Sequence, residues 1–119
     1  MSKIVIHRGN NERVINLADA HVFRADCKNV TVRYDGSEWF VKRPQNPTLK
    51  ALCAIGAGSH IYASRSVLIA VSAIVLRISD YEKPGHYGAV MRDGQVVKIA
   101  RREQAAFNRI YRELVKNNT

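Results

Sequence analysis

The sequence predicts a mostly β fold: about ten short strands in small antiparallel sheets, with a short middle helix and a C-terminal helix. Three observations predict it. Short runs rich in Val, Ile and aromatic residues alternate with turn residues, the composition that suits a pleated, half-buried surface. Two Asp-Gly pairs, Asp35-Gly36 and Asp93-Gly94, each sit between apolar runs, as hairpin turns do. A period of 3.6 residues takes over only near the end of the chain.

Taken in order, KIVIH (3–7) reads as a first strand closed by Gly9-Asn10-Asn11, and RVINL (13–17) as its hairpin partner. HVFRA (21–25) is a third strand, followed by the polar turn DCKN. VTVRY (30–34) alternates Val30, Val32 and Tyr34 with Thr31 and Arg33, a strand with one buried face. Asp35-Gly36 turns it into EWFVK (38–42), which Pro44 and Pro47 stop. Trp39 and Phe40 are adjacent in that strand, so they face opposite ways.

NPTLKALCAIG (46–56) reads as a short helix, with Leu49, Leu52 and Cys53 on one face and Gly56 as terminator. IYAS, SVLIAV and IVLRIS (74–79) follow as strands, and the almost wholly apolar run Val67–Leu76 predicts a buried strand region. DYEKPGH (80–86) is a loop, and YGAVM (87–91) with QVVKIA (95–100) makes a last hairpin. Over 102–116, Phe107, Ile110, Tyr111, Leu114 and Val115 recur at helical spacing. That stripe packs on the sheet or serves a second chain.

The 119 residues suffice for one domain with a real core. No apolar stretch approaches the roughly 18 residues of a membrane span, and the N-terminus lacks a signal-peptide layout. The expected location is cytoplasmic. Cys27 and Cys53 are isolated, so free thiols in a reducing compartment are expected. His7, His21, His60 and His86 lie in separate segments without metal-ligand spacing. No nucleophile motif stands out, and GAGSH lacks the Lys of a phosphate loop. Neither an enzyme, a cofactor nor a metal is expected.

Nineteen Lys and Arg face ten Asp and Glu, a net charge of +9. The excess is +1 over residues 1–20, +3 over 21–59 and +5 over 60–119, so the folded surface itself is positive. Its plainest use is attraction to a polyanion, with nucleic acid the commonest and anionic membrane the rival.

Ser64-Arg65-Ser66 precedes the apolar run. A guanidinium is costly to bury unpaired, so its place at the entrance of a core segment asks for a reason. An arginine there can pair with a carboxylate or simply face water. Arg101-Arg102 precede a helix, where cations oppose the macrodipole by roughly 0.3–1 kcal/mol each. Lys28-Asn29 also suit a plain turn.

Read as a whole, the chain from about Ile4 to about Leu114 resembles the LytTR DNA-binding domain. The most specific segment is YASRSVLIAVSAI, whose Arg65-Ser66, Ile69 and Ile74 fall on the family's Arg-Ser, Val and Ile. The second is AVMRDGQVVKIARREQAAFNRIY, with Arg101 in the Arg position before the last helix. NPTLKAL and FRADCKNVTVRYDGSEWFVKR resemble the middle helix and the early hairpin. Ser64 stands where the family has His, Ala70 where it has Asn, and Ala100 where it has Ser. These departures bear on local hydrogen bonding and base preference more than on the fold. The sequence shows neither a receiver domain nor a membrane segment, so residues 1–119 are expected to form a single stand-alone domain of this type.

The resemblance implies a sequence-specific transcription regulator that inserts loops into successive major grooves of double-stranded DNA. Its base-contact residues would be Arg65, Arg101 and Asn29, since Arg fits guanine O6 and N7 bidentately and Asn fits adenine. Its phosphate contacts would be Lys28, Lys42, Arg43, Ser64, Ser66, Arg92 and Arg102. Partners would be double-stranded DNA and a second protomer on repeated sites. The alternative is a protein-interaction module, such as an inhibitor of another regulator, that docks on a regulatory protein through edge strands or the last helix.

Overall fold

A computed structural model describes residues 3–26, 29–42, 48–56 and 58–117. Ten strands form two antiparallel sheets. They are β1 (Lys3–Arg8), β2 (Asn11–Asn16), β3 (Val22–Ala25), β4 (Val30–Tyr34), β5 (Ser37–Val41), β6 (His60–Ser64), β7 (Val67–Ala70), β8 (Ile74–Ser79), β9 (Tyr87–Met91) and β10 (Val96–Ile99). The larger sheet has the order β2-β1-β5-β4-β3-β7-β6 and the smaller β10-β9-β8. Helix α1 spans Leu49–Gly56 and α2 spans Gln104–Asn117. The mostly β architecture expected from the sequence is borne out.

Local chemistry sets the element ends. Asp35 and Gly36 both have positive φ, 53° and 77°, the backbone a two-residue hairpin with the right twist requires. Asp tolerates that region and Gly has no Cβ to resist it. At α1 the Thr48 Oγ1 accepts the Ala51 N–H at 3.1 Å. That cap starts the helix at Leu49, and the notional start at 46 and the stops Pro44 and Pro47 lie outside the described residues.

Two cores result. Ile4, Ile6, Phe23, Val32, Trp39, Val41 and Leu68 pack with Leu49 and Leu52 of α1 on one face of the larger sheet. On the other face, Val22, Ile69, Ala70 and Ala63 pack against Ala89, Met91, Val97, Ile99 and Phe107. Strands β3 and β7 are therefore covered on both sides, which is why Leu68-Ile69-Ala70 is continuously apolar. Trp39 is buried and its neighbour Phe40 exposed, as adjacent strand residues must be.

The buried region ends sooner than the apolar run. After a 3-10 turn at Val71–Ala73 the chain enters β8, an edge strand. There Val75 is 56% and Leu76 43% exposed. Helix α2 seats only part of its stripe: Phe107 is fully buried, Ile110, Tyr111 and Leu114 are half-buried, and Val115 is exposed. A charged clamp holds the seat. Arg77 of β8 donates to Asn108 Oδ1 at 2.8 Å, and its guanidinium lies 4.9 Å from the Tyr87 ring and 5.0 Å from that of Tyr111.

His60 is the buried polar side chain among the described core residues. Its Nε2–H donates to the Ala20 carbonyl at 2.7 Å, which leaves Nδ1 to accept from the Ser59 hydroxyl at 2.8 Å. Burial holds its pKa below the ordinary value, and nearby His21 acts the same way against the opposing Ala20 hydrogen bond. It is a satisfied core histidine. Among the described residues no group of three His, Cys, Asp or Glu side chains is arranged to hold a metal. No helix there is long and apolar enough to cross a membrane.

Candidate nucleic-acid interface

Backbone hydrogen bonds bring three segments to one edge of the molecule. The Ala25 N–H donates to the Ser66 carbonyl at 2.8 Å, which sets the β3–β4 turn beside the β6–β7 turn. The Ala100 N–H donates to the Ala63 carbonyl at 2.7 Å, which sets the strand–helix junction on the other side of the same turn.

Between the last two lies a shallow, open depression of about 690 Å³, lined by Ser64, Arg65, Ser66, Ala100, Arg101 and Arg102. Its lining holds three guanidinium groups and no carboxylate. All three arginines are exposed, and among the described residues none is ion-paired. Arg65 sits in the tight turn between β6 and β7, where the Ser64 hydroxyl accepts the Ser66 N–H at 3.3 Å. Rigid strands on both sides limit how far its base can move, a requirement for a precise contact. Arg101 and Arg102 lie in a 3-10 turn (Arg101–Glu103) ahead of α2, one step earlier than a plain first helical turn.

Asn29 lies in the neighbouring turn. Asp26 Oδ1 accepts its N–H at 2.9 Å, and the Asp26 N–H donates to its carbonyl at 3.0 Å. This fixes the backbone and leaves the exposed carboxamide outside the turn's own bonding. Asn29 also lines a groove with His7, Gly9, Asn10, Glu12, Val41 and Lys42.

Other expected residues are engaged internally. Lys42 is ion-paired with Glu12. Arg92, in the β9–β10 turn, donates from Nη2 to the Ser72 carbonyl at 2.8 Å. Lys28, Arg43 and Cys27 lie outside the described residues. Cys53 carries a free thiol. Sequence reasoning overlooked Ala100 as a lining residue, although its position beside Arg101 marked it. It also overlooked Arg24 and Arg33, which the alternation of β3 and β4 turns outward.

No family model matches the sequence, and no curated protein matches it. Among solved structures the fold matches the LytTr DNA-binding domain of a protein described as a methyl-accepting/DNA response regulator from Bacillus cereus. The match has a TM-score of 0.77 at 14% identity and covers 93% of this chain and 97% of that one. The chain thus has the fold of a LytTR DNA-binding domain.

Proposed function

We propose that the protein is a sequence-specific regulator of transcription that reads double-stranded DNA through loops inserted into successive major grooves. The observation that carries this reading is the shared depression: Arg65, Arg101 and Arg102 converge there without a carboxylate. Arg65 and Arg101 act as base readers, each adding about 1–3 kcal/mol of discrimination, with Asn29 in support. Arg102, Ser64 and Ser66 contact phosphates beside them, and Lys42 and Arg92 do so once released from Glu12 and Ser72. Lys28 and Arg43 keep the phosphate role the sequence suggests. The molecule measures 43 × 30 × 25 Å, so its long axis exceeds one turn of B-DNA, about 34 Å.

Pairing of protomers on repeated sites belongs to the same reading, which places the protein where DNA is accessible, in the cytoplasm. Exposed Val75 and Leu76 on the open edge of the smaller sheet favour it.

The test is selection of bound duplexes from a random pool at physiological salt, followed by titration of the selected and scrambled sequences. Arg65→Ala should remove the preference between them. Intact discrimination in that variant would sink the role of Arg65, and failure to retain any duplex would sink the reading.

A further inference from the structure

A second surface has the chemistry of a nucleic-acid site of another kind. Where the smaller sheet leaves it uncovered, the second face of the larger sheet carries one row of cross-strand neighbours, which meets the Arg65 turn at Arg24, opposite Val67. His7 of β1 stands opposite Phe40 of β5, Phe40 opposite Thr31 of β4, and Thr31 opposite Arg24 of β3. At the usual strand spacing the row spans about 14 Å. The His7 and Phe40 rings are stacked, with centroids 5.6 Å apart and planes 28° from parallel. Phe40 is 39% exposed, in a strand whose alternate residues Trp39 and Val41 are buried. The stacked pair offers a flat apolar face on which another ring system can stack.

The surroundings narrow the kind of partner. Arg24 and Arg33 are exposed and, among the described residues, not ion-paired. Arg33 stands opposite Glu38, and Lys42 with Glu12 closes the far end. The apolar area of the face is the aromatic pair with Val14, 64% exposed, and Val5 beyond it. The exposed guanidinium groups beside the rings suit an anionic partner that also carries flat apolar faces. In a duplex the base faces are already stacked, so exposed rings gain nothing from it. In a single strand they are open.

We propose that this row is a site for single-stranded nucleic acid, with bases stacking on His7 and Phe40 and phosphates held by Arg24 and Arg33. About two or three nucleotides fit across it. The row adjoins the proposed duplex-reading surface, since Arg24 stands opposite Val67 and Val67 opposite Ser64, and separate substitutions tell the two apart.

The experiment measures fluorescence anisotropy of labelled oligothymidylate and oligouridylate of about 12 nucleotides with the full chain. Variants are Phe40→Ala, Phe40→Tyr and Arg24→Ala; controls are an abasic strand of equal length and a duplex. Phe40→Ala should weaken single-strand binding roughly 5- to 150-fold, the usual loss for one stacked base. Phe40→Tyr should retain it, the abasic strand should bind no better than Phe40→Ala does, and duplex binding should be unchanged. Tighter binding of the thymidylate assigns DNA to the site, and of the uridylate RNA. The proposal is overturned if neither strand binds, if Phe40→Ala matches the unsubstituted protein, or if the abasic strand binds as well as the intact one. Arg65→Ala should leave single-strand binding unaltered, so failure here and failure of duplex reading are told apart.

Discussion

The Ala100 amide donates to the Ala63 carbonyl across 2.7 Å, and this bond joins the two segments whose next residues supply Arg101 and Arg65. It lies between β6 and the end of β10, so it also ties the larger sheet to the smaller one. The two guanidinium groups therefore belong to one rigid edge. Their roles should be coupled.

Arg101→Ala should lower discrimination between specific and scrambled duplexes by about 1–3 kcal/mol, as one bidentate base contact does. The Arg65→Ala, Arg101→Ala double variant should lose less than, or more than, the simple total by at least about 0.5 kcal/mol. Titrations of all four proteins against both duplexes measure this, and strict additivity would separate the two residues.

Lys42→Ala should weaken binding to every duplex alike and flatten the salt dependence by about 0.9 in the logarithmic slope, one phosphate contact. Because Lys42 is held by Glu12, Glu12→Gln should act in the opposite sense. Releasing an exposed pair is worth about 0.5–1 kcal/mol, visible as tighter, sequence-independent binding. Titration over a range of salt checks both variants.

His60 makes stability depend on pH. Its folded pKa lies below the unfolded value of about 6.5, chiefly because burial penalises the charged ring. The unfolded chain therefore binds the proton more readily. The contribution of His60 is present in full above about pH 6.5 and is lost as pH falls from there toward the folded pKa. Urea midpoints measured between about pH 7.5 and pH 5 should fall more steeply for the unsubstituted protein than for His60→Gln.

Gly88→Ala should destabilise the protein. A Cβ at Gly88 would lie 2.9 Å from Tyr81 Cγ, at the root of the side chain, where the ring has little room to swing away. Overpacking of this kind costs about 1–3 kcal/mol. Urea denaturation should show it, with duplex discrimination by the folded fraction unchanged.

Much of the fold was legible because the local signals agreed with one another. The strands at 30–34, 74–79 and 87–91 run as the alternation and turn residues indicate. Asp35-Gly36 gave its hairpin because both positions need positive φ. What escaped depends on distant pairing. Continuous apolar character looks alike whether a strand is covered on both faces, as at Leu68-Ile69, or left at an edge, as at Val75-Leu76. The cost of burying its charge posed the question of Arg65, and the resemblance supplied the exposed turn. The approach of Arg101 to it could not be read locally, because a long-range backbone bond makes it. Lys42 and Arg92 looked free in sequence for the same reason, since Glu12 and the Ser72 carbonyl are remote along the chain.

The Arg77 clamp has a mechanical corollary. The last helix is anchored by an ion wedged between two phenol rings and an amide, not by grease alone. Its neighbours in the strand, Val75 and Leu76, are open to whatever arrives. The anchor reaches the helix at Asn108 and Tyr111, so the seat of the last helix hangs on a single guanidinium that the open margin presents.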